Sequence, residues 1–351
     1  MTSFVKPKIR RLNEPQNELG KTRADYDGAM STLCAGCGHD SVTAALARAF
    51  FELSKEPKDV VKVSGIGCSS KTTTYFLKDA HGANTVHGRM PSFATGAAAV
   101  NKNLTYVGVS GDGDSLSIGL GQMAHAIRRN VDMIYMLENN GVYGLTKGQF
   151  SASSDIGSTA KKGATNTLPP IDPAIMALSI GATFVARSFS GDKAQLVSLI
   201  KAGIAHRGFA LIDVISPCVS FNDHKGSTKS YAHTYQYYHK AVHADYVPPS
   251  EEITAAYAEG EAMPVELHDG GSILLRKLDA DYDPTDRAGA MSKLLQSQQT
   301  QEILTGLLYI DESRPAMAEH KKLPETPLHS LPYSKLNPGA DVLRKIQDEF
   351  R

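Results

Sequence analysis

The chain has 351 residues, and its 37 Lys plus Arg balance 37 Asp plus Glu, so no net field directs it toward nucleic acid or an anionic membrane. The length fits two or three units of roughly 100–200 residues, or one large domain with extensions, and suffices for a sizeable core. Four cysteines are too few for a disulfide scaffold, so they are expected to remain thiols or to bind metal.

The start, MTSFVKPKIRRLNEPQNELGKTR, is basic but has no apolar h-region or small-residue cleavage site. No later stretch reaches about 18 uninterrupted apolar residues. The reading is a soluble, cytoplasmic protein. Residues 1–30 are polar and aperiodic and read as an N-terminal arm. From Ser41, behind the turn-like CAGCGHD, VTAALARAFFELS has helical apolar spacing, and DVVKVSG follows as a short buried strand. LTYVGVS is a strand running into GDGDS, SLSIGLGQMAHAIRR a helix, and VDMIYMLENN a second strand, which together make a parallel βαβ unit. PAIMALSIGATFVARSF gives another helix and strand, and DKAQLVSLIKAGIAHRG is a helix feeding the strand FALIDVISPC.

The predicted fold is therefore α/β, a mostly parallel sheet with helices on both faces, whose ligands gather at the carboxyl ends of the strands. Beyond Val219 the texture changes to a His- and Tyr-rich stretch. Pro-containing loops and short helical pieces follow, ending in the helix ADVLRKIQDEF. The division is an arm over 1–30, a cofactor-binding domain over 31–225 and a C-terminal extension over 226–351, which carries no recognisable motif. His239 and His243 have the i,i+4 spacing of a metal pair, but without a motif such as H-E-x-x-H they read as packing or solvent-facing residues.

Gly111-Asp112-Gly113-Asp114 follows one apolar strand, and Asn139-Asn140 closes the next. Asp112 and Asn140 thus sit at neighbouring strand ends, where a carboxylate and an amide oxygen converge. Hard oxygen ligands of this kind suit Mg²⁺, which shares its shell with phosphate oxygens and water. The glycines allow close backbone approach, and the helix near Ser115 offers N–H groups to an anion. Taken singly, GDG is a common turn and NN a strand-end turn. Taken together, in a strand-turn-helix-strand context with the Gly-rich GVYGLTKGQ after them, they point to a diphosphate and its cation.

Cys34 and Cys37 form a C-x2-C pair, Cys68 lies in GIGCSS just past a strand, and Cys218 closes the last strand of the alternation. In a parallel sheet these positions share an edge with the GDG and NN turns. Buried cysteines as small hydrophobes do not account for four on one edge. A structural zinc site also uses C-x2-C, but generally pairs two such units in a small knuckle. Here the third and fourth thiols come from far along the chain, which suits an iron–sulfur cluster held at the edge of a large domain.

The GDG-to-NN pattern resembles the motif shared by thiamine-diphosphate enzymes. In order along the chain, CAGCGH, GIGCSS, HGRMPSFATG, GDGDS to NN, and SPC resemble the small (β) subunit of 2-oxoacid:ferredoxin oxidoreductases, most closely the 2-oxoglutarate-specific kind. The match covers about residues 30–225 and implies the thiamine-diphosphate-binding fold. It assigns Mg²⁺ to Asp112, Asn140 and the Val142 carbonyl, and one 4Fe–4S cluster to Cys34, Cys37, Cys68 and Cys218. It assigns cofactor contacts to Cys37, Gly38, His39, Gly67, Gly111, Asp112, Gly113, Asp114, Asn140, Val142, Tyr143, Gly144, Leu145 and Thr146. Lys71 would pair with the distal carboxylate of 2-oxoglutarate. His39 would contact cofactor or substrate, and His87 and Arg89 would reach the active site.

The implied reaction converts 2-oxoglutarate and coenzyme A to succinyl-CoA and CO₂ and passes electrons to ferredoxin. The carboxylate needed at the aminopyrimidine ring has no place in this chain, so a larger α subunit is expected to bring it, giving an αβ heterodimer or α2β2. The competing readings are a pyruvate- or indolepyruvate-specific relative, a thiamine-dependent lyase or carboligase, and a zinc-stabilised scaffold.

Overall fold

The computed structural model of the chain describes residues 14–158, 164–218, 253–266 and 272–351; His239 and His243 lie outside them. Helix α1 spans Gly38–Glu52, strand β1 Val60–Ser64, α2 Thr72–Tyr75, β2 His81–Asn84, α3 Met90–Val100 and β3 Thr105–Gly111. One π-helical turn, Gly113–Ile118, leads into α4, Leu120–Arg129, and then β4, Met133–Asn139. A small hairpin follows, β5 Val142–Tyr143 against β6 Gln149–Phe150. The alternation resumes with α5 Pro173–Ser179, β7 Phe184–Phe189, α6 Lys193–Ala205 and β8 Phe209–Ile215. Three strands come later, β9 Ala262–Glu266, β10 Ser272–Lys277 and β11 Glu302–Ile310, with α7, Arg287–Thr300, between the last two. The short helices α8 Met317–His320 and α9 Tyr333–Leu336 and the helix α10 Ala340–Glu349 close the chain.

One nine-stranded sheet runs β2-β1-β3-β4-β8-β7-β11-β10-β9. From β2 to β7 every pairing is parallel, as the apolar runs predicted. Strands β1, β4, β7 and β8 are buried along their whole length, the pattern of strands covered on both faces. On one face Met90, Met123, Ile127 and Leu178, from α3, α4 and α5, pack with Tyr135 and Phe209. On the other, Leu46 and Phe50 of α1 and Leu196 and Ile200 of α6 pack on Val107, Met136 and Ile212.

The C-terminal strands extend this sheet instead of forming a separate body. β11 runs antiparallel to β7, and β10-α7-β11 is a further parallel crossover. The described part of the N-terminal arm is fixed through Tyr26, fully buried, whose hydroxyl donates to the Lys55 carbonyl at 2.8 Å. Among the described residues, no helix is long and apolar enough to cross a membrane.

Candidate active site

Four neighbouring parallel strands deliver the chemistry. The strand order β1-β3-β4-β8 brings Ser64, Gly111, Asn139 and Ile215 to one edge, and the loops beyond them hold Cys68, Asp112, Asn140 and Cys218. Helix α1 starts against the same edge. It begins at Gly38, earlier than its apolar spacing suggests, with Cys37 as N-cap. Gly38 is required there because a Cβ would lie 2.7 Å from Ser216 Oγ and 2.8 Å from Ser190 Oγ. Its N–H donates to the Pro217 carbonyl at 3.3 Å, which seats the C-x2-C loop on the Ser216-Pro217-Cys218 turn.

A cavity opens on this edge. It is lined by Gly67, Gly111, Asp112, Gly113, Asp114 and Asn140, by the loop Val142–Thr146, and by His39, Cys68 and His87. Eleven of the residues assigned to the cofactor outside α1 are therefore brought together, and His39 with them. Cys37 and Gly38 lie behind the cavity at the helix start, and neither Lys71 nor Arg89 lines it. Arg89 is exposed at the N-cap of α3.

Asp112 is buried, and its carboxylate receives Ser153 Oγ at 2.8 Å and the Asn140 N–H at 3.3 Å. Burial raises its pKa, and hydroxyl and backbone donors only partly offset that. A buried carboxylate surrounded by neutral donors is suited to a cation, and the neighbouring oxygen donors fit a hard one. Asp114 is used differently. Its Oδ1 accepts from His87 Nδ1, from the Gly88 N–H at 2.7 Å and from the Ile66 N–H at 3.3 Å, while Oδ2 accepts Ser110 Oγ at 2.6 Å. Those bonds tie three loops together, so His87 reaches the site as a partner of Asp114. Tyr143 packs on Gly113, where a Cβ would come within 2.5 Å of its ring, and its hydroxyl donates to the Gly113 carbonyl at 3.0 Å.

None of the four cysteines is joined in a disulfide; Cys34 is exposed, Cys37 buried and the other two lie between. Burial pushes the Cys37 thiol up; the His39 N–H pulls it down, and charge on Cys218 adds to the rise. Cys68 is likewise raised, first by burial and then by Cys34, while Lys71 lowers it. Each pair, Cys37 with Cys218 and Cys68 with Cys34, is thus within electrostatic reach. Among the described residues no three Cys, His, Asp or Glu side chains converge at single-ion spacing. A cubane cluster spreads its thiolates over four irons, so its ligands need not converge at single-ion spacing.

Motif spacing does not reveal the polar pocket behind His39. Its Nδ1 lies 2.6 Å from Ser216 Oγ and 3.3 Å from Glu138 Oε2, and Thr72 Oγ1 donates to Glu138 Oε1 at 2.9 Å. Burial holds His39 down at about 4 and pushes Glu138 well above the usual carboxylate range, so burial disfavours charge on either group. Glu138 directly follows the apolar run MIYML within β4, and a charge inside a strand buried on both faces was the available signal.

A glycine-rich cavity at the carboxyl edge of a parallel sheet is the setting for a phosphorylated ligand, and the sequence makes the domain a thiamine-diphosphate-binding one. Residues 65–214 match the family model described as the thiamine pyrophosphate enzyme, C-terminal TPP binding domain. Residues 274–324, which offer no motif by eye, match the model for the C-terminal part of the pyruvate ferredoxin oxidoreductase beta chain.

The chain belongs to the β subunits of 2-oxoacid:ferredoxin oxidoreductases, an oxidoreductase family. It is 43% identical over 211 residues to the 2-oxoacid:ferredoxin oxidoreductase subunit beta of Saccharolobus solfataricus, a match covering 60% of this chain and 67% of that one. It is 38% identical to the 2-oxoglutarate synthase subunit KorB of Methanocaldococcus jannaschii, over 54% of this chain and 70% of that one. The solved 2-oxoglutarate:ferredoxin oxidoreductase from Magnetococcus marinus superimposes with a TM-score of 0.68 at 30% identity, covering 86% of this chain and 88% of that one.

Proposed function

We propose that this chain is the β subunit of a 2-oxoglutarate:ferredoxin oxidoreductase, acting in the cytoplasm with an α subunit, as αβ or α2β2. The reaction is 2-oxoglutarate + CoA + two oxidised ferredoxins giving succinyl-CoA + CO₂ + two reduced ferredoxins + H⁺. The observation that carries this reading is the adjacency of β1, β3, β4 and β8. It sets Cys68 and Cys218 on either side of Asp112 and Asn140.

Asp112, Asn140 and the Val142 carbonyl would hold Mg²⁺, with the loop from Val142 to Gln149 closing over the diphosphate. Cys34, Cys37, Cys68 and Cys218 would hold a 4Fe–4S cluster. When bound, thiamine diphosphate supplies the nucleophilic carbon and electron sink for decarboxylation, and the cluster a one-electron acceptor. The chain's own residues orient and insulate. Ser216 and Glu138 fix the His39 ring on the cavity wall beside Cys68. Lys71, half-buried on the Cys68 loop, is the cation proposed for the distal carboxylate; reaching it requires the substrate to extend past the cavity wall.

The test is reconstitution with the partner, followed by metal analysis and ferredoxin reduction with 2-oxoglutarate, pyruvate and indolepyruvate. Iron and acid-labile sulfide at about four each per αβ unit, preference for 2-oxoglutarate and no turnover by this chain alone are expected. Lys71→Ala should lower kcat/KM for 2-oxoglutarate by at least about 10-fold, leaving pyruvate unaffected. One zinc without sulfide, or full turnover without the partner, would sink the proposal.

A further inference from the structure

Behind Asp112, on the α5 face of the sheet, a chain of buried polar groups leads away from the site. Ser153 Oγ lies 2.8 Å from Asp112 Oδ2 and 2.9 Å from Asn139 Oδ1. Asn139 Nδ2 donates to Asp213 Oδ1 at 3.1 Å, and Arg187 Nε donates to Asp213 Oδ2 at 2.7 Å. Arg187 Nη2 then reaches Asp172 Oδ1 at 2.7 Å, and that oxygen caps α5 through the N–H groups of Ala174 and Ile175. Asp213 is fully buried, and Arg187, Asn139 and Ser153 are each less than a tenth exposed. Arg187 and Asp213 face each other in register on β7 and β8.

We infer that Arg187 and Asp213 are positioning residues for the cation and diphosphate end of the site, acting through Asn139 and Ser153 on Asp112. The inference rests on reading Asp112 as a cation ligand. The carboxylate of Asp213 accepts only, so Asn139 must turn its NH₂ toward Asp213 and its oxygen toward Ser153. The Ser153 hydroxyl, which also lies 3.1 Å from Ser151 Oγ, then turns its one hydrogen toward the oxygens of Asn139 and Asp112. The position of Asn139 therefore governs how firmly Ser153 serves Asp112, and Asn139 is held by Asp213, whose other oxygen Arg187 fixes. A buried arginine–aspartate pair, joined to the partly exposed Asp172, is a costly way to hold strands together, since well-packed apolar residues of similar volume commonly do so as well or better. A cost of that kind is explicable where the residues hold ligands in position, and the outer partners of metal ligands act in this way.

The second anchor of the same segment agrees. Ser154 Oγ donates to the Gly141 carbonyl, the Ser151 N–H reaches that carbonyl at 3.4 Å, and the Ile171 N–H donates to the Ala152 carbonyl at 2.7 Å. The stretch 151–154 thus braces Asp112 and the start of the covering loop at once, and the arginine triad meets that stretch twice, at Ser153 through Asn139 and at Ala152 through Ile171, the neighbour of Asp172.

The experiment titrates the cofactor-stripped αβ complex with Mg²⁺ at saturating thiamine diphosphate, by calorimetry, and records the Tm of the stripped protein. Asp213→Asn and Ser153→Ala should each raise the apparent Kd for Mg²⁺ by about 10- to 100-fold, with the Tm of the Ser153→Ala protein unchanged. The double variant should bind no more weakly than the poorer single variant, because both act on one chain of bonds. Arg187→Met should bind as poorly as Asp213→Asn; if it does not fold, the other two variants decide. Mg²⁺ affinities within twofold of wild type for Asp213→Asn and Ser153→Ala would overturn the inference, whatever the Tm values. Failure of the wild type itself to bind thiamine diphosphate and Mg²⁺ would overturn the cofactor reading and this inference with it.

Discussion

Strands β1, β3, β4 and β8 are buried over nearly their whole length and run out into loops carrying thiols, a carboxylate and an amide. Strands β9, β10 and β11 join the same sheet but are only intermittently buried, and their loops carry turn and capping chemistry. After β10, Asp279 pairs with Lys293 on the surface, Asp283 receives the N–H and hydroxyl of Thr285, and Asp286 caps α7. After β11, Asp311 receives Ser313 and Arg314 donates to the Gly181 carbonyl. Continuous burial on both faces leaves the loops beyond the strand ends as the places where polar groups stay open to a ligand. Half-exposed strands widen the platform, and changes in the two regions should separate function from stability.

The largest effect is expected at Gly65. A Cβ there would lie 1.8 Å from Asp114 Oδ2, and all three of its nearest atoms belong to that carboxylate. The carboxylate cannot swing away without releasing His87, Gly88, Ile66 and Ser110. Gly65→Ala therefore displaces the loop that leads to Cys68 together with the start of α3. A misplacement of about 1 Å in a preorganised site can cost about 100-fold, so turnover of the reconstituted complex should fall at least that far, with iron content falling in parallel. Near-normal iron and turnover would show that the hub tolerates the methyl group.

Leu275 on β10 offers the contrast. It is fully buried among Phe189, Ile215, Val265 and Ile273, and removing its side chain should cost about 2–5 kcal/mol by denaturant unfolding. Thiamine diphosphate affinity of the folded Leu275→Ala complex should match the wild type. A matching loss of affinity would mean that the two halves of the sheet are mechanically coupled.

The legible part of this protein follows the same division. Apolar runs bounded by Gly and Asp betray β1, β3, β4 and β8, and spacing alone puts Asp112, Asn140 and the four cysteines on one edge. What stays hidden is side-chain pairing between elements distant in sequence, such as Glu138 with Thr72 and His39, or Arg187 with Asp213 and Asp172. Periodicity assigns a residue to a face but does not say what lies opposite. The C-terminal strands escape notice because their half-buried patterns are weak, and β10 and β11 pair across the whole of the intervening α7. Yet each of β1, β4, β7 and β8 carries a single charged residue inside its apolar run: Lys62, Glu138, Arg187 and Asp213. A charge in a strand buried on both faces must have a partner, so those four positions mark where to look.

Lys62 tests whether such a charge always serves the site. Its Nζ donates to the Phe76 and Leu77 carbonyls at 2.7 and 2.8 Å and lies 5.2 Å from the centre of the Phe76 ring. It closes the end of α2, and Lys62 does not line the cavity. Burial lowers its pKa to about 8 from the 10.5 of an exposed lysine, with Asp79 opposing the shift. Below pH 8 both folded and unfolded chains keep the proton, and the folded state bears the whole desolvation cost. Between about 8 and 10.5 the folded chain has released a proton that the unfolded chain still holds, so this residue makes stability rise with pH, by about 1 kcal/mol per unit. Denaturant unfolding from about pH 7 to 10 should show a more positive slope for the wild type than for Lys62→Met, and Mg²⁺ and thiamine diphosphate affinity should be equal in the two. Equal slopes would mean that the Lys62 ammonium is better solvated by its two carbonyls than its burial implies. A loss of cofactor affinity would move Lys62 from the frame of the sheet to the support of the site, and would make all four strand charges parts of one device.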